Sequence, residues 1–334
     1  MFEGFAQVWT PVALSKDVRD EPVGMKLAGT KLVLFRGQDG KVGALVDRCP
    51  HRGVALSLGK VKDGCLVCPF HGWRFDTSGR VTDVPWNPDA KISQLRGTEL
   101  PAAEAGGLVW VYTAPGGRPQ SGPSAPAFLS RPELRISGFS VEWKIHWTRL
   151  MENMLDWPHL PFVHESSIGK GMRAKADSRM DIHMEERETG FLSTITVDGE
   201  LQPGSLELRW PNQMVLTIAD GPRTLIMMNA CIPIDDEHSR LFVVTARSFL
   251  KLAPFDYVFE LSNRRVVSED RAIVGSSWPT AVPRPSEELS VRTDGPTLAF
   301  RKRYFAELYG SAAASAPGRP VPLRLTPKAA GASA

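Results

Sequence analysis

Residues 49–53 read CPHRG and residues 68–73 read CPFHGW, so a cysteine and a histidine occur together twice in a short stretch. The pattern is C-x-H, sixteen further residues, then C-x2-H. Each string also has a glycine beside its histidine, which lets the backbone turn tightly and point amide groups at an anionic centre. This spacing predicts a metal site with two thiolates and two imidazoles.

Two kinds of metal site use that ligand set. A Rieske [2Fe–2S] centre takes two thiolates on one iron and two imidazoles on the other, whereas a structural zinc site takes all four on one ion. Zinc fingers usually pair Cys with Cys and His with His, but each string here mixes the two. We therefore favour the cluster and keep zinc as the alternative. The predicted cluster ligands are Cys49, His51, Cys68 and His71.

A second group of candidate ligands lies in residues 152–164, ENMLDWPHLPFVH. His159 and His164 are five residues apart, a spacing that an ideal helix does not align. Pro158 and Pro161 disrupt regular helix here, so a kink can bring both imidazoles to one point. Two histidines with one carboxylate are the ligands of non-heme Fe(II) oxygenases, which keep positions open for O2.

Together the two strings resemble the Rieske oxygenase family, which has them in this order, and the resemblance covers roughly residues 5–310. Respiratory Rieske proteins carry an additional cysteine in each loop and a serine after the second His–Gly. Here Val54, Phe70 and Trp73 occupy these positions. The loops therefore resemble those of oxygenase-type Rieske domains, which have fewer hydrogen bonds to the cluster.

The resemblance also implies a mononuclear Fe(II) held by His159, His164 and an aspartate supplied much later in the chain. We choose Asp270, because the string SEDRAIV resembles the family's ligand-bearing helix and because a helix is a rigid support for a ligand. Glu269 and Asp294 are the alternatives.

Two polar residues precede the histidine pair. A carboxylate there can hold an imidazole N–H. In the family this aspartate links the Rieske histidine of one subunit to the iron-ligand histidine of its neighbour, so the resemblance implies that Asp156 bridges His71 and His159 of adjacent subunits. The alternative is a surface residue at a helix end. Asn153 matches the family's motif asparagine near the iron, and we assign it no bond.

We predict an α+β protein with two domains. Residues 1–115 alternate short apolar runs with turns, which indicates a β-rich Rieske domain. Residues 116–127 are rich in Pro, Gly, Ser and Ala and indicate a linker. Residues 128–310 mix β-rich and helical stretches. The resemblance implies a helix-grip (START-like) catalytic domain with an antiparallel sheet there. Residues 311–334 are expected to be a disordered tail.

Several elements can be predicted individually. Gln38-Asp39-Gly40 lies between two apolar runs and predicts a hairpin. Helical composition covers 149–157, 259–278 and 298–310, with Gly310 as the cap of the last helix. In the second helix, four residues are spaced for a buried face: Val266, Val267, Ile273 and Val274.

Composition excludes several functional classes. The 334 residues carry a net charge of +3 with scattered Lys and Arg, which argues against nucleic acid as a partner. No apolar run approaches the roughly 18 residues of a membrane span, and the N-terminus lacks a signal-peptide pattern. We therefore expect a cytoplasmic protein. Four cysteines in so long a chain are not a disulfide scaffold, and Cys65 and Cys231 are expected to pack in apolar runs.

These observations predict a terminal oxygenase acting on a small organic molecule with O2. Its electrons would come from NAD(P)H through a separate reductase, with or without a ferredoxin, because the sequence has no G-x-G-x-x-G nucleotide motif. The resemblance implies a homotrimer without a small β subunit. Four residues of the apolar strands suggest a largely apolar substrate: Met214, Leu225, Met227 and Met228. The alternative is that these strands are plain protein core. The alternative is a pure electron-transfer protein in which the second histidine pair is structural.

Overall fold

The computed structural model of the chain describes residue 2, residues 4–169 and residues 177–309. The predicted tail and the Gly310 cap lie outside the described residues. Residues 9–112 form β-strands, and residues 135–247 form a large antiparallel sheet with helices on one side. The α+β class is confirmed.

The N-terminal part contains short antiparallel strands in three small sheets. They are β1 Trp9–Leu14, β2 Val23–Leu27, β3 Thr30–Arg36, β4 Val42–Val46, β5 Lys60–Lys62, β6 Cys65–Val67, β7 Arg74–Phe75, β8 Val81–Asp83, β9 Glu99–Leu100, β10 Ala102–Ala105 and β11 Leu108–Tyr112. The predicted hairpin is confirmed, since β3 pairs with β4 and Leu32 lies opposite Val46. The first cysteine–histidine string lies on the loop between β4 and β5 and the second on the turn between β6 and β7. Both are next to a small apolar core that includes Phe35, Leu66 and Phe75.

The C-terminal part is built on an eight-stranded antiparallel sheet. Its strands are β12 Arg135–Trp143, β13 Met180–Arg187, β14 Gly190–Val197, β15 Glu200–Leu201, β16 Ser205–Arg209, β17 Gln213–Ala219, β18 Leu225–Pro233 and β19 Ser239–Arg247. They run in the order β12-β19-β18-β17-β16-β14-β13, with β15 pairing with β14. Consecutive strands are mostly neighbours, as hairpin connections require.

Four α-helices accompany this sheet in the described residues. They are α1 Trp147–Leu155, α2 Leu160–Val163, α3 Ala253–Val274 and α4 Gly295–Tyr304. The side chain of His146 caps α1 by accepting a hydrogen bond from the backbone N–H of Thr148. α1 ends at Leu155, and α2 begins only at Leu160 with a proline in its first turn, so the chain bends between them.

The predicted burial of α3 needs one correction. Val267 and Val274 are buried, but Ile273 is 59% exposed. Asp270 takes the place on the buried stripe between the two valines, and one residue along a helix turns the side chain by about 100°. The helix also begins at Ala253, earlier than the predicted 259, and ends at Val274, before the predicted 278.

The two faces of the sheet have different neighbours. Asn229 contacts Met154 of α1, and Thr245, whose register partner is Met227, accepts a hydrogen bond from Asn263 of α3. Met227 and Asn229 therefore face the helices, as does Met214, which lies opposite Asn229. Met228 points to the opposite face of the sheet, because adjacent residues of a strand point to opposite faces.

The two domains are packed together through several contacts. Phe5 packs edge-on against Trp147 of α1, with ring centroids 5.3 Å apart. Lys26 of β2 forms an ion pair of 2.7 Å with Asp235, and the backbone N–H of Ala28 donates to the carbonyl of Pro233. In the described residues, every helix is too short or too polar to span a membrane.

Candidate metal centres

The two cysteine–histidine loops have the same backbone geometry. The N–H of Gly53 donates to the carbonyl of Cys49 at 2.9 Å, and the N–H of Gly72 donates to that of Cys68 at 3.0 Å. Both glycines have a left-handed φ, +73° and +72°, which other residues rarely adopt. The glycines therefore close two matching turns that present their ligands side by side.

The four side chains of these loops divide into a buried half and an exposed half. Cys49 and Cys68 are each only 2% exposed, whereas His51 and His71 lie at the surface. The two imidazole rings are 4.7 Å apart, and the ring of His51 stacks on Trp73 at 4.8 Å. Two thiolates and two imidazoles on neighbouring turns are the ligands that would hold a Rieske [2Fe–2S] cluster, which would supply one-electron transfer.

The electrostatics of the loops agree with these assignments. Burial raises the pKa of the Cys49 thiol to about 11, so its thiolate needs an adjacent cation such as iron. Desolvation, with the nearby His71 and Arg52, lowers the pKa of His51 and favours the neutral imidazole that binds metal. All four cysteines of the chain are free thiols, so no disulfide covers this site.

A second, compact group of candidate ligands lies in the C-terminal domain and consists of His159, His164 and Asp270. The Nε2 atom of His164 is 3.2 Å from Oδ1 of Asp270, and the Nε2 atom of His159 is 3.7 Å from the same oxygen. The bend between α1 and α2 brings the two histidines together, and α3 supplies the aspartate from more than a hundred residues later. Ligands at right angles around an ion, at bonds of roughly 2.1 Å, lie about 3 Å apart, so this set fits iron.

An unpaired atom supports the fit. Oδ1 of Asp270 is buried without a hydrogen-bond partner among the described residues, and a buried carboxylate oxygen requires a proton or a cation. Burial alone would lower the pKa of His164, but the neighbouring carboxylates of Asp270 and Glu269 raise it overall. A metal ion would supply the positive charge that the unpaired carboxylate oxygen requires.

The two alternative iron ligands lie outside this group. Glu269 faces the other side of His164, with Oε2 only 2.8 Å from Nδ1. Asp294 precedes α4, where its carboxylate accepts a hydrogen bond from the backbone N–H of Val291. Both carboxylates are thus engaged away from the point where the three ligand atoms meet.

Asp156 and Asn153 lie on the approach to this point. Oδ2 of Asp156 is 3.4 Å from Nδ1 of His159, and its side chain is 31% exposed, so the carboxylate connects the histidine to the surface. Asn153 has a buried Nδ2 without a hydrogen-bond partner in the described structure. Trp157 lies in the bend between α1 and α2. Its Nε1 donates a hydrogen bond to the hydroxyl of Ser193 on β14, which fixes the bend to the sheet.

Sequence analysis gave no role to Ser166 and Ser167. Both hydroxyl groups donate to the carboxylate of Glu269, at 3.0 and 2.6 Å. Two serines shortly after a histidine are an unremarkable string, so only the fold reveals that they reach the residue next to Asp270.

Two family comparisons cover successive parts of the chain. Residues 8–96 match the Rieske [2Fe-2S] domain, which contains the four cysteine and histidine ligands. Residues 143–306 match the vanillate O-demethylase oxygenase C-terminal domain, which contains His159, His164 and Asp270.

Individual relatives agree with these matches. Chlorophyllide a oxygenase of Chlamydomonas reinhardtii is 29% identical over 314 residues, 87% of this chain and 47% of that protein. The tert-butanol monooxygenase / tert-amyl alcohol desaturase oxygenase subunit of Aquincola tertiaricarbonis is 30% identical, over 72% of this chain and 56% of that protein. The chain thus spans about half the length of these curated relatives.

A solved structure extends the similarity to the whole fold. NdmA of Pseudomonas putida CBB5, in complex with caffeine, superposes with a TM-score of 0.77 at 25% identity, covering 90% of each chain. The Rieske domain, the oxygenase domain that follows it and the relatives with both all indicate one conclusion: the chain belongs to the Rieske oxygenase family.

Proposed function

We propose that this chain is the terminal oxygenase of a multicomponent system and that it oxidises a small, largely apolar organic molecule with O2. The observation that carries the proposal is that one chain holds two separate ligand sets, the two matching cysteine–histidine turns and the compact group His159, His164 and Asp270. When bound, the cluster supplies one-electron transfer and the mononuclear iron supplies O2 activation, for hydroxylation, demethylation or another oxidation.

The protein's part in this chemistry is to hold the ligands and exclude water. His164 is 2% exposed and Asp270 is 3% exposed, so bulk water has little access to the site from their side. The helix-facing side of the sheet presents apolar side chains such as Met214 and Met227, with Asn229 among them. Such a lining favours an apolar substrate that is oriented by few polar contacts.

The proposal includes a homotrimer in which each cluster serves the iron of a neighbouring subunit. The exposed imidazole of His71 and the partly exposed carboxylate of Asp156 are both available at the surface of one chain. A carboxylate between His71 of one subunit and His159 of the next would accept an N–H bond from each ring and orient both. A head-to-tail contact of this kind closes into a ring.

Electrons would originate in NAD(P)H and arrive through a separate reductase, directly or by way of a ferredoxin. We place the system in the cytoplasm. Cell fractionation, together with reduction of the cluster by NAD(P)H only when a reductase is added, tests these two points.

The main test is the metal content of the purified protein and its oxygen consumption. We expect about three irons and two acid-labile sulfides per chain, and substrate-dependent O2 uptake with a surrogate reductase. An electron-transfer protein would instead hold about two irons and consume no O2 in response to any substrate. One zinc per chain without sulfide would overturn the cluster as well.

A further inference from the structure

The two iron-site histidines differ in what holds the nitrogen that faces away from the iron position. Nδ1 of His164 is 2.8 Å from Oε2 of Glu269. Nδ1 of His159 is 3.4 Å from Oδ2 of Asp156 but makes no hydrogen bond to it, and this nitrogen is buried without a hydrogen-bond partner among the described residues. One imidazole is therefore fixed from within the chain and the other is not.

Glu269 is itself held in place from several directions. Ser167 donates to Oε2 at 2.6 Å and Ser166 donates to Oε1 at 3.0 Å, while Nε of Arg265 lies 3.8 Å from Oε1. Both oxygens accept hydrogen bonds, which leaves the side chain little freedom to rotate.

Glu269 also connects two segments of the chain that carry iron ligands. It directly precedes Asp270 on α3, while both serines lie on the turn that follows His164. A single carboxylate thereby connects the segment that carries one ligand to the helix that carries another. Any shift of α3 relative to this turn would stretch these hydrogen bonds.

We propose that Glu269 is a positioning residue for the mononuclear iron site, and this inference rests on the proposed function. A neutral imidazole carries its proton on one nitrogen only. By accepting from Nδ1, Glu269 keeps the proton there and leaves the lone pair of Nε2 directed towards Oδ1 of Asp270, 3.2 Å away. A carboxylate partner also makes the imidazole a stronger donor to a metal. His164 is then the fixed ligand, and His159 is the one that adjusts.

Glu269→Gln tests this role with a readout that does not depend on turnover. The variant loses the charge, and its amide NH2 can donate to Nδ1 and thereby move the imidazole proton to Nε2, where it opposes metal binding. We expect Fe(II) affinity to fall by about 10- to 100-fold. Anaerobic equilibrium dialysis of the mononuclear-iron-depleted protein against Fe(II) alone, with the cluster intact, measures this affinity.

Two further variants keep the test decisive. Ser167→Ala removes one bond to Glu269 without burying a new group, and we expect a smaller loss of Fe(II) affinity in the same direction. Glu260→Gln is the matched control, because Glu260 lies on the same helix in an exposed ion pair with Arg264, and its affinity should equal that of the wild type. If Glu269→Gln fails to fold, Ser167→Ala carries the test.

The outcomes separate the inference from the proposed function. Wild-type protein that takes up no Fe(II) beyond the cluster would refute the proposed function. Wild-type uptake with unchanged affinity in both Glu269→Gln and Ser167→Ala would refute only the role of Glu269. A variant that unfolds at lower temperature but binds Fe(II) as tightly as wild type would show that the bond is structural, which also contradicts the inference.

Discussion

The cluster loops and the iron site use opposite ways of bringing ligands together. The four cluster ligands lie between residues 49 and 71 on two turns, one between β4 and β5 and one between β6 and β7, and two of them are exposed. The iron ligands come from a bend at residues 159–164 and from Asp270 on a distant helix, and two of the three are buried. The first site depends on local turns, whereas the second depends on how helices pack against a sheet.

Under the proposed function, the difference corresponds to two chemical tasks. A cluster that receives and passes on electrons needs an edge at the surface, and the exposed imidazoles of His51 and His71 provide one. A site that activates O2 needs exclusion of water around its ligands, and packing of α3 over the sheet provides that. Independent construction also means that one site can be removed while the other stays intact.

The largest expected effect tests this independence. His164→Ala and His159→Ala should each abolish mononuclear iron binding and all turnover while leaving the cluster spectrum unchanged, because the ligand sets share no residue. Iron analysis, visible absorption and the EPR signal of the reduced cluster measure both sites. Cys68→Ser is the reciprocal variant and should lose the cluster. Loss of the cluster spectrum in either histidine variant would show that the two sites are not independent.

A second prediction concerns the connection between the sites. Asp156→Asn should retain both metals but slow cluster reoxidation about 10- to 100-fold, since the amide lacks the charge that orients imidazole N–H groups. Rapid mixing of the reduced variant with substrate and O2 measures the rate. Reoxidation at the wild-type rate, or an active protein that is a monomer, would refute the bridge between subunits.

A third, smaller effect concerns the packing of α1 against α4, which lie in the same domain as the iron site. Arg301 of α4 bonds to Glu152 of α1, both of them buried, and buried Arg149 and partly exposed Glu288 complete a network of four charges. Arg301→Met leaves buried carboxylates short of a partner and should cost about 3–5 kcal/mol. Arg187→Met, in an exposed ion pair with Glu185, should cost under about 1 kcal/mol.

Urea unfolding followed by far-UV circular dichroism measures both changes, and iron content before unfolding shows which site is affected. We expect Arg301→Met to lose mononuclear iron more readily than cluster iron, because α1 leads directly into the histidine bend. Equal losses at the two sites would contradict the view that the cluster loops stand on their own small core.

The contrast also explains how far the sequence could predict each region. The cluster loops could be identified as strings, because ligands, prolines and glycines are all adjacent in the chain. The hairpin of β3 and β4 was predictable for the same reason, since a turn signal lies between two apolar runs. Each of these features is decided by a few neighbouring residues.

Features that depend on packing were harder to predict. Glu269 and Asp270 are neighbouring acidic residues on one helix, about 100° apart. The sequence alone therefore cannot say which of them faces the Nε2 atoms of the two histidines. Ile273 is exposed although its spacing fits an apolar face, because only a narrow stripe of α3 meets the sheet. The serines that hold Glu269 carry no sequence signal for a role at long range.

The last prediction uses pH to compare the stability of the two sites. Burial lowers the pKa of His146, the cap of α1, to about 4, below its value of about 6.5 in the unfolded chain. Because the unfolded state then binds more protons, the stability of the iron domain is complete above pH 6.5 and falls as the pH drops towards 4. At pH 5 this group should lower the free energy of unfolding by about 2 kcal/mol relative to pH 7.5.

His146→Asn keeps a capping side chain without a titratable ring, so the urea midpoint of this variant should fall less between these two pH values. Because the cap belongs to the helix before the histidine bend, wild-type protein at pH 5 should lose mononuclear iron earlier in the urea titration than cluster absorbance. An equal pH dependence in wild type and variant would show that other groups control the acid stability of this domain.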